Sequence, residues 1–232
     1  MKKKIWELGM TVLLLTGVFW LARTGARLTG ADAGAGNGVV LIDSGHGGSD
    51  PGKIGIHQEK EKDINRADCK TAEKATGKKR GKVYMTREND VDLSEGDGGN
   101  SKVQDLKRRC EMVRKIQPDC VLSIHQNSYP EEAIHGAQVF YYEDSSEGKK
   151  LAEILQKHLV EVLDKENHRQ AKGNRTYYML KKTEATLVIV ECGFLSNNQE
   201  ALLLTDEKYQ NKVAKAICSG TLEYLSSLAE KK

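Results

Sequence analysis

Short apolar runs recur along the chain, and three of them lead directly to a side chain that can bind a metal or transfer a proton. Residues 39–42 are Val-Val-Leu-Ile without polar alternation, a pattern typical of a strand buried on both faces. This run leads into a glycine-rich loop that carries His46, whereas CVLSIH ends at His125 and TLVIVE ends at Glu191. Open α/β sheets usually bind ligands at the carboxyl ends of their strands. The pattern therefore predicts a site that combines these three side chains.

Longer stretches with apolar residues at every third or fourth position predict helices, the first of them between Ser101 and Pro118. Ser101 and Gln104 form a capping box at its start. Similar apolar patterns predict helices at 147–164 and 207–229. They also predict strands at 82–87, 136–142, 177–180 and 186–191. Strands that alternate with helices predict an α/β sandwich with a largely parallel sheet.

One predicted helix has an unusual composition. Between Ile64 and Val83 the run NRADCKTAEKATGKKRGK contains no large apolar residue, so a helix there lacks the usual stripe for docking. Two explanations stay open for the charged segment 66–80. It is either an exposed, weakly held helix or a sequence altered locally by two compensating frameshifts.

The N-terminus resembles an export or anchoring segment. Three lysines at 2–4 precede an apolar stretch, 10–22, that would span about 20 Å as a helix, short of the roughly 30 Å hydrocarbon core. We expect residues 1–28 to be a signal peptide or an N-terminal membrane anchor, with Ala31-Asp32-Ala33 as a candidate cleavage site. Residues 29–38 would be a linker and 39–229 a single catalytic domain outside the cytoplasmic membrane.

Composition narrows the chemistry further. The net charge is +3, and no basic stripe with interleaved aromatic residues occurs, so no nucleic-acid partner is predicted. The five cysteines are odd in number and lack CxxC spacing, which argues against both a disulfide framework and a thiolate zinc site. We expect most of them to be small core residues.

Two histidines and one carboxylate are a standard ligand set for catalytic zinc, with the fourth position left for water. His46, Glu61 and His125 are too far apart for an HExxH helix, so these groups must come from separate strand ends and loops. Zinc acidifies water, and a nearby carboxylate can take up the proton and pass it to a leaving amine. Glu191 suits that role because partial desolvation at the end of an apolar strand would raise its pKa. The expected chemistry is hydrolysis of an amide or similar acyl bond.

Several motifs together resemble a known family. IDSGHGGSDPG, EKDIN, VYMTRE, SIHQN, GAQVFYY and IVECGFLSN occur in the order and spacing of the zinc-dependent N-acetylmuramoyl-L-alanine amidases of bacterial cell walls. The resemblance extends from about residue 39 to 225 and is strongest to the branch that acts on spore-cortex peptidoglycan during germination. It implies one Zn²⁺ bound by His46, Glu61 and His125, with Glu191 as the catalytic carboxylate. It also implies an open, mostly parallel twisted sheet with helices on both faces.

The resemblance implies a substrate and a location as well. Members of this family cleave the amide bond between N-acetylmuramic acid and L-alanine, and in spore cortex this step serves muramic-lactam formation. The expected partner is therefore peptidoglycan, outside the cytoplasm, with the N-terminal segment at the membrane and any protein activator unknown. Two other functions stay open: another zinc-dependent wall hydrolase, such as a peptidase or deacetylase, and an inactive wall-binding module.

Two departures from the family pattern affect the site. Ser44 replaces a usual proline, and the charged segment replaces the apolar helix that normally supports Glu61. We therefore expect a metal site that assembles but is looser than is typical. Glu59 is an alternative ligand because it lies two residues from Glu61.

Four further residues have weaker predicted roles. Asn127 and Arg87 are candidates for substrate binding. Alternatively, Asn127 could simply form a turn, and Arg87 could form a structural ion pair. Asp50 is a candidate partner for a ligand histidine. Cys192 as a nucleophile with His125 as base is a non-metal alternative, but strand alternation would point the thiol into the core.

Overall fold

The computed structural model describes residues 38–77, 82–94 and 101–230. Within these ranges the chain forms six strands and six helices. In chain order they are β1 (Val39–Ser44), α1 (Glu61–Gly77), β2 (Lys82–Met85), α2 (Ser101–Ile116), β3 (Cys120–Asn127), β4 (Gln138–Tyr142), α3 (Ser146–Leu163), β5 (Lys172–Asn174), α4 (Tyr178–Lys182), β6 (Leu187–Phe194), α5 (Asn198–Thr205) and α6 (Glu207–Ala229).

The strands form one sheet in the order β2-β1-β3-β6-β4-β5. The first four strands of this order run parallel to one another, whereas β4 is antiparallel to β6 and β5 follows β4 in parallel. The prediction of an open, mostly parallel sheet is therefore confirmed. Because β1, β3 and β6 are neighbours and parallel, their carboxyl ends lie at the same edge.

Side-chain alternation along the strands divides the core into two layers. In β6, Val188, Val190 and Cys192 belong to the larger layer, which also contains apolar residues of α1, α3 and α6. Leu187 and Ile189 belong to the smaller layer, with residues of α2 and α4. Helices thus cover both faces of the sheet, as predicted. The alternation also places Cys192 in the core, and all five cysteines are buried free thiols.

The charged helix α1 docks through small side chains. Ile64, Cys69 and Ala72 are buried in the larger layer, and the helix contacts α6 as well as β1, β2 and β3. A helix without a wide apolar stripe can still pack closely where its buried face is Cys and Ala, because the neighbouring elements then approach more closely. The predicted helix is confirmed over 61–77, whereas residues 78–80 of the charged segment lie outside the described ranges.

The prediction of a strand at 177–180 is wrong. These residues begin the short helix α4, and the edge strand β5 lies a few residues earlier. The side-chain Oδ1 of Asn174 accepts hydrogen bonds from the backbone N–H groups of Thr176 and Tyr177, at 2.7 and 2.9 Å. This turn leads into α4, whose Met179 and Leu180 are buried in the smaller layer.

The predicted signal or anchor, 1–28, and most of the predicted linker, 29–38, lie outside the described residues. Within the described ranges, no helix combines the length and apolar character needed to cross a bilayer. The domain bounds stay a prediction.

Candidate active site

The three predicted side chains do meet at one edge of the sheet. His125 lies on β3 and Glu191 on β6, and the two are directly paired across the parallel strands. His46 follows β1, the neighbour of β3 on its other side. The His46 and His125 rings are 5.1 Å apart between centroids and lie nearly perpendicular. Strand order, rather than proximity in the sequence, brings these groups together.

The loop that carries His46 has a constrained backbone. His46 has a φ of 59°, a left-handed conformation that is uncommon for a residue with a side chain. Gly45 is required by close approach, because a Cβ there would lie 2.2 Å from Cε1 of His125. The backbone N–H of Gly45 donates to the carbonyl of Ile124 at 3.1 Å, which fixes the loop to β3. The loop is therefore packed directly against the second histidine.

Glu61 is the first residue of α1, and its buried carboxylate lies between the two imidazoles. Oε2 is 3.1 Å from Nε2 of His46, and Oε1 is 2.9 Å from Nδ1 of His125. Backbone N–H groups of Lys53 and Gln126 donate to the same two oxygens. The N-terminal end of a helix also favours a negative charge at this position.

Electrostatics keep this carboxylate ionised. Burial opposes the charge of Glu61, but the hydrogen bonds and charges of His125 and His46 outweigh burial and lower its pKa. The converse holds for His125, where burial favours the neutral ring and Glu61 outweighs it and raises the pKa. The three groups thus form one coupled cluster.

The same cluster meets the requirements for a metal site. Ligand atoms of His46, Glu61 and His125 all lie within 4.8 Å of one another. Two imidazole nitrogens and one carboxylate are the donor set of many catalytic zinc sites. Glu59, the alternative ligand, instead accepts a hydrogen bond from the backbone N–H of His57 at 3.0 Å, and it is not part of this group.

Asp50 lies behind His46. Its Oδ2 is 2.8 Å from Nδ1 of the imidazole, and Nζ of Lys102 is 3.2 Å from the same oxygen. A carboxylate that accepts from Nδ1–H leaves Nε2, which faces Glu61, available to bind a metal ion. This is the arrangement expected of a partner that orients a ligand histidine.

Glu191 differs from Glu61 in its surroundings. The side chain is buried, and its Oε2 has no hydrogen-bond partner among the described residues. Burial raises the pKa of Glu191 to about 7, and the charge of Glu61 adds to the rise while His125 opposes it. A carboxylate with a pKa near neutrality can both accept and return a proton at physiological pH.

The other two candidates make contacts with the backbone. Oδ1 of Asn127 accepts a hydrogen bond from the N–H of Ser128 at 2.8 Å, a local turn contact. The guanidinium of Arg87 is buried, and donates to the carbonyls of Ser44, Gly45, Lys62 and Asn89. Neither contact demonstrates substrate binding, so that role stays a prediction for both.

Sequence reasoning missed the polar residues that lie under the site. Asp43 and Arg109 form a buried ion pair of 2.7 Å, and Ser123 donates to the other oxygen of Asp43 at 2.6 Å. Nζ of Lys62 contacts the carbonyl of Gly48 at 2.8 Å. The clue was Asp43 itself, a charged residue inside an otherwise apolar strand, which needs a buried partner.

Comparisons with known proteins agree with this geometry. A family model described as N-acetylmuramoyl-L-alanine amidase matches residues 40–223. The germination-specific N-acetylmuramoyl-L-alanine amidase of Bacillus subtilis is 36% identical over 191 residues, which cover 81% of this chain and 80% of that protein.

Solved structures show the same fold. The CwlD amidase from Clostridioides difficile, in complex with the GerS lipoprotein, is similar with a TM-score of 0.80 and 37% identity, over 82% of this chain and 100% of that chain. An N-acetylmuramoyl-L-alanine amidase from Clostridium difficile 630 is similar with a TM-score of 0.73 and 29% identity, over 83% and 99% of the two chains.

Proposed function

The chain belongs to the N-acetylmuramoyl-L-alanine amidase family, and on this premise we propose that it is a zinc-dependent amidase of spore-cortex peptidoglycan. Membership makes it a peptidoglycan amidase, which cleaves between N-acetylmuramic acid and L-alanine. The zinc dependence and the cortex role are the parts that we add. The main support for zinc dependence is the position of the Glu61 carboxylate between the imidazoles of His46 and His125. The nearby Glu191 adds a carboxyl oxygen, Oε2, that has no hydrogen-bond partner among the described residues.

We assign the metal to His46, Glu61 and His125, whose donor atoms are close enough to share one ion. A bound zinc ion would supply a Lewis acid that polarises the scissile carbonyl and makes water acidic. The protein contributes the orientation. Asp50 holds the His46 ring, and backbone N–H groups of Lys53 and Gln126 hold the Glu61 carboxylate.

We assign proton transfer to Glu191. The carboxylate would accept a proton from the attacking water and return it to the nitrogen of the departing L-alanine. Its buried position supports this role, because a carboxyl with a pKa of about 7 changes its protonation state at little cost near neutral pH. Glu61 cannot take this part, since its neighbours hold its pKa low.

Purified protein incubated with peptidoglycan tests the reaction. Amidase activity creates new L-alanine N-termini, whereas a deacetylase would release acetate and a binding module would release nothing. Exhaustive chelation should abolish the new N-termini, and added Zn²⁺ should restore them. A His46→Ala variant should retain less zinc after dialysis than the unaltered chain. Undiminished hydrolysis after chelation would refute the zinc assignment.

The cortex role is supported by the relatedness to a germination-specific amidase at 36% identity. We expect preference for cortex peptidoglycan over vegetative wall, and formation of muramic lactam in sporulating cells that depends on this protein. The test compares initial rates on the two substrates under identical zinc loading. Equal rates, with normal muramic lactam in spores that lack the protein, would refute the cortex role.

We also propose an extracytoplasmic location and a protein partner. Several relatives are named cell wall amidases, and one solved relative is in complex with a lipoprotein. Purification from spore membranes with the bound proteins identified by mass spectrometry tests both points. A protein recovered alone from the cytoplasmic fraction would contradict them.

A further inference from the structure

In the loop that carries His46, three successive backbone carbonyls accept hydrogen bonds from two buried guanidinium groups. The carbonyls are those of Ser44, Gly45 and His46, and the guanidinium groups are those of Arg87 and Arg109. The carbonyl of Ser44 accepts from Nε of Arg87 at 3.1 Å and from NH1 of Arg109 at 2.6 Å. The carbonyl of Gly45 accepts from NH2 of Arg87 at 3.0 Å. The carbonyl of His46 accepts from NH2 of Arg109 at 2.8 Å. Of these two guanidinium groups, only that of Arg109 donates a hydrogen bond to His46, the candidate metal ligand.

Arg109 projects from α2, and its side chain is 1% exposed. Its remaining donors contact carboxylates, at 2.7 Å to Oδ1 of Asp43 and at 2.7 and 3.3 Å to the two oxygens of Asp105. With Ser44 and His46, these contacts occupy all five N–H donors that a guanidinium has. A lysine could keep the charge but not this fixed fork of donors.

The conformation of His46 shows what these contacts accomplish. A φ of 59° at a residue with a side chain is strained and persists only where the surroundings impose it. Asp50 holds the imidazole of His46 from one side, and Arg109 holds its backbone carbonyl from the other. We propose that Arg109 is a positioning residue for the metal site, which keeps His46 in the left-handed conformation that presents its imidazole to Glu61.

The same ion pair reaches the strand that carries the second histidine. Asp43, which pairs with Arg109, accepts a hydrogen bond from the hydroxyl of Ser123 at 2.6 Å. Ser123 lies on β3 two residues before His125, and strand alternation places the two side chains on the same face. Arg109 therefore contacts His46 directly and is linked, through Asp43 and Ser123, to the strand that carries His125.

The inference rests on the proposed metal site, so its test measures zinc binding rather than hydrolysis. The full metal-free chain and an Arg109→Lys variant are titrated with Zn²⁺ against a chromophoric chelator, and with Co²⁺ for its visible absorption spectrum. We expect Arg109→Lys to bind zinc about 10–100-fold more weakly, as is typical when a group that orients a ligand is lost. The Co²⁺ spectrum should change as well, because His46 would no longer be held in place.

Arg108→Lys is the matched control. Arg108 is adjacent on α2 but its side chain is 42% exposed and pairs with Glu111 on the surface, so zinc affinity should be unchanged. Asp105→Asn provides a milder perturbation in case Arg109→Lys does not unfold cooperatively. It removes one charge that holds the guanidinium and should weaken zinc binding in the same direction.

The outcomes distinguish the proposed metal site from the positioning role of Arg109. If the unaltered chain binds no zinc, the proposed metal site is wrong. If it binds zinc and a folded Arg109→Lys has the same affinity and Co²⁺ spectrum, the positioning role is wrong. The role is also wrong if Arg109→Lys does not fold and folded Asp105→Asn matches the unaltered chain in both measurements. A lowered melting temperature with an unchanged Co²⁺ spectrum would show only a structural role, and would likewise overturn the proposal.

Discussion

Replacing Glu191 by Gln should lower turnover and raise the stability of the metal-free protein. Burial raises the pKa of Glu191 from an ordinary 4.5 to about 7. A group whose folded-state pKa is raised binds its proton more tightly in the folded state, so stability falls as pH rises from 4.5 toward 7. At about 1.4 kcal/mol per pKa unit, ionised Glu191 destabilises the metal-free fold by about 3 kcal/mol at pH 8.

Gln keeps the shape of the side chain and removes the charge. We therefore expect metal-free Glu191→Gln to be about 2–3 kcal/mol more stable than the unaltered chain at pH 8, since a buried amide keeps part of the cost. For a domain of this size that corresponds to a melting temperature about 5–10 °C higher. The difference should vanish toward pH 4, where the unaltered Glu191 is protonated in both states. Turnover with zinc should fall by about 10²–10⁴-fold, because Gln cannot accept the proton.

The assay is calorimetry or circular dichroism with a chelator present, between pH 4 and 8, together with the release of L-alanine N-termini. Glu200→Gln is the matched control. Glu200 is only partly buried, and its two oxygens accept hydrogen bonds from the backbone N–H groups of Gly136 and Phe194 at 3.0 and 2.8 Å. Gln there loses an acceptor and should destabilise the protein. Equal melting temperatures of Glu191→Gln and the unaltered chain at pH 8, or near-normal turnover, would refute the reasoning.

Asp68→Asn should raise the melting temperature of the metal-free protein at pH 8 and leave it unchanged at pH 4, because burial holds the pKa of Asp68 well above its ordinary value. Thermal melts at the two pH values check this, and a lower melting temperature at pH 8 would contradict it. Gly45→Ala should abolish zinc binding, since its Cβ would lie 2.2 Å from His125, whereas Gly77→Ala meets no atom within 4 Å and should bind zinc normally. Equilibrium dialysis distinguishes these two variants, and normal zinc binding by Gly45→Ala would show that the loop can shift.

Patterns of short range were sufficient for much of this protein. Continuous apolar runs located β1, β3 and β6, and strand alternation placed the Cys192 thiol in the core, where it lies. The bounds of the last helix were also predicted, because α6 has a long apolar stripe with helical spacing. The motifs around His46 and His125 supported family membership, which the comparisons confirm.

Such patterns failed to predict the structure where it depends on a local hydrogen bond or on the packing of small side chains. The aromatic pair before Met179 has strand propensity, but the turn made by Asn174 begins a helix there. Helix α1 lacks the apolar stripe that predicts docking, yet it packs through Cys69 and Ala72, because the fit of small residues depends on the partner surface.

By itself, the sequence determined which residues end the strands and therefore which chemical groups are available at the edge of the sheet. Only the tertiary structure decided how those groups are oriented. Arg109 and Ser123 contact Asp43 from 66 and 80 residues away, and no local pattern encodes such pairs. Their contacts follow from strand order and from the need of each buried charge for a partner, and both are properties of the folded chain.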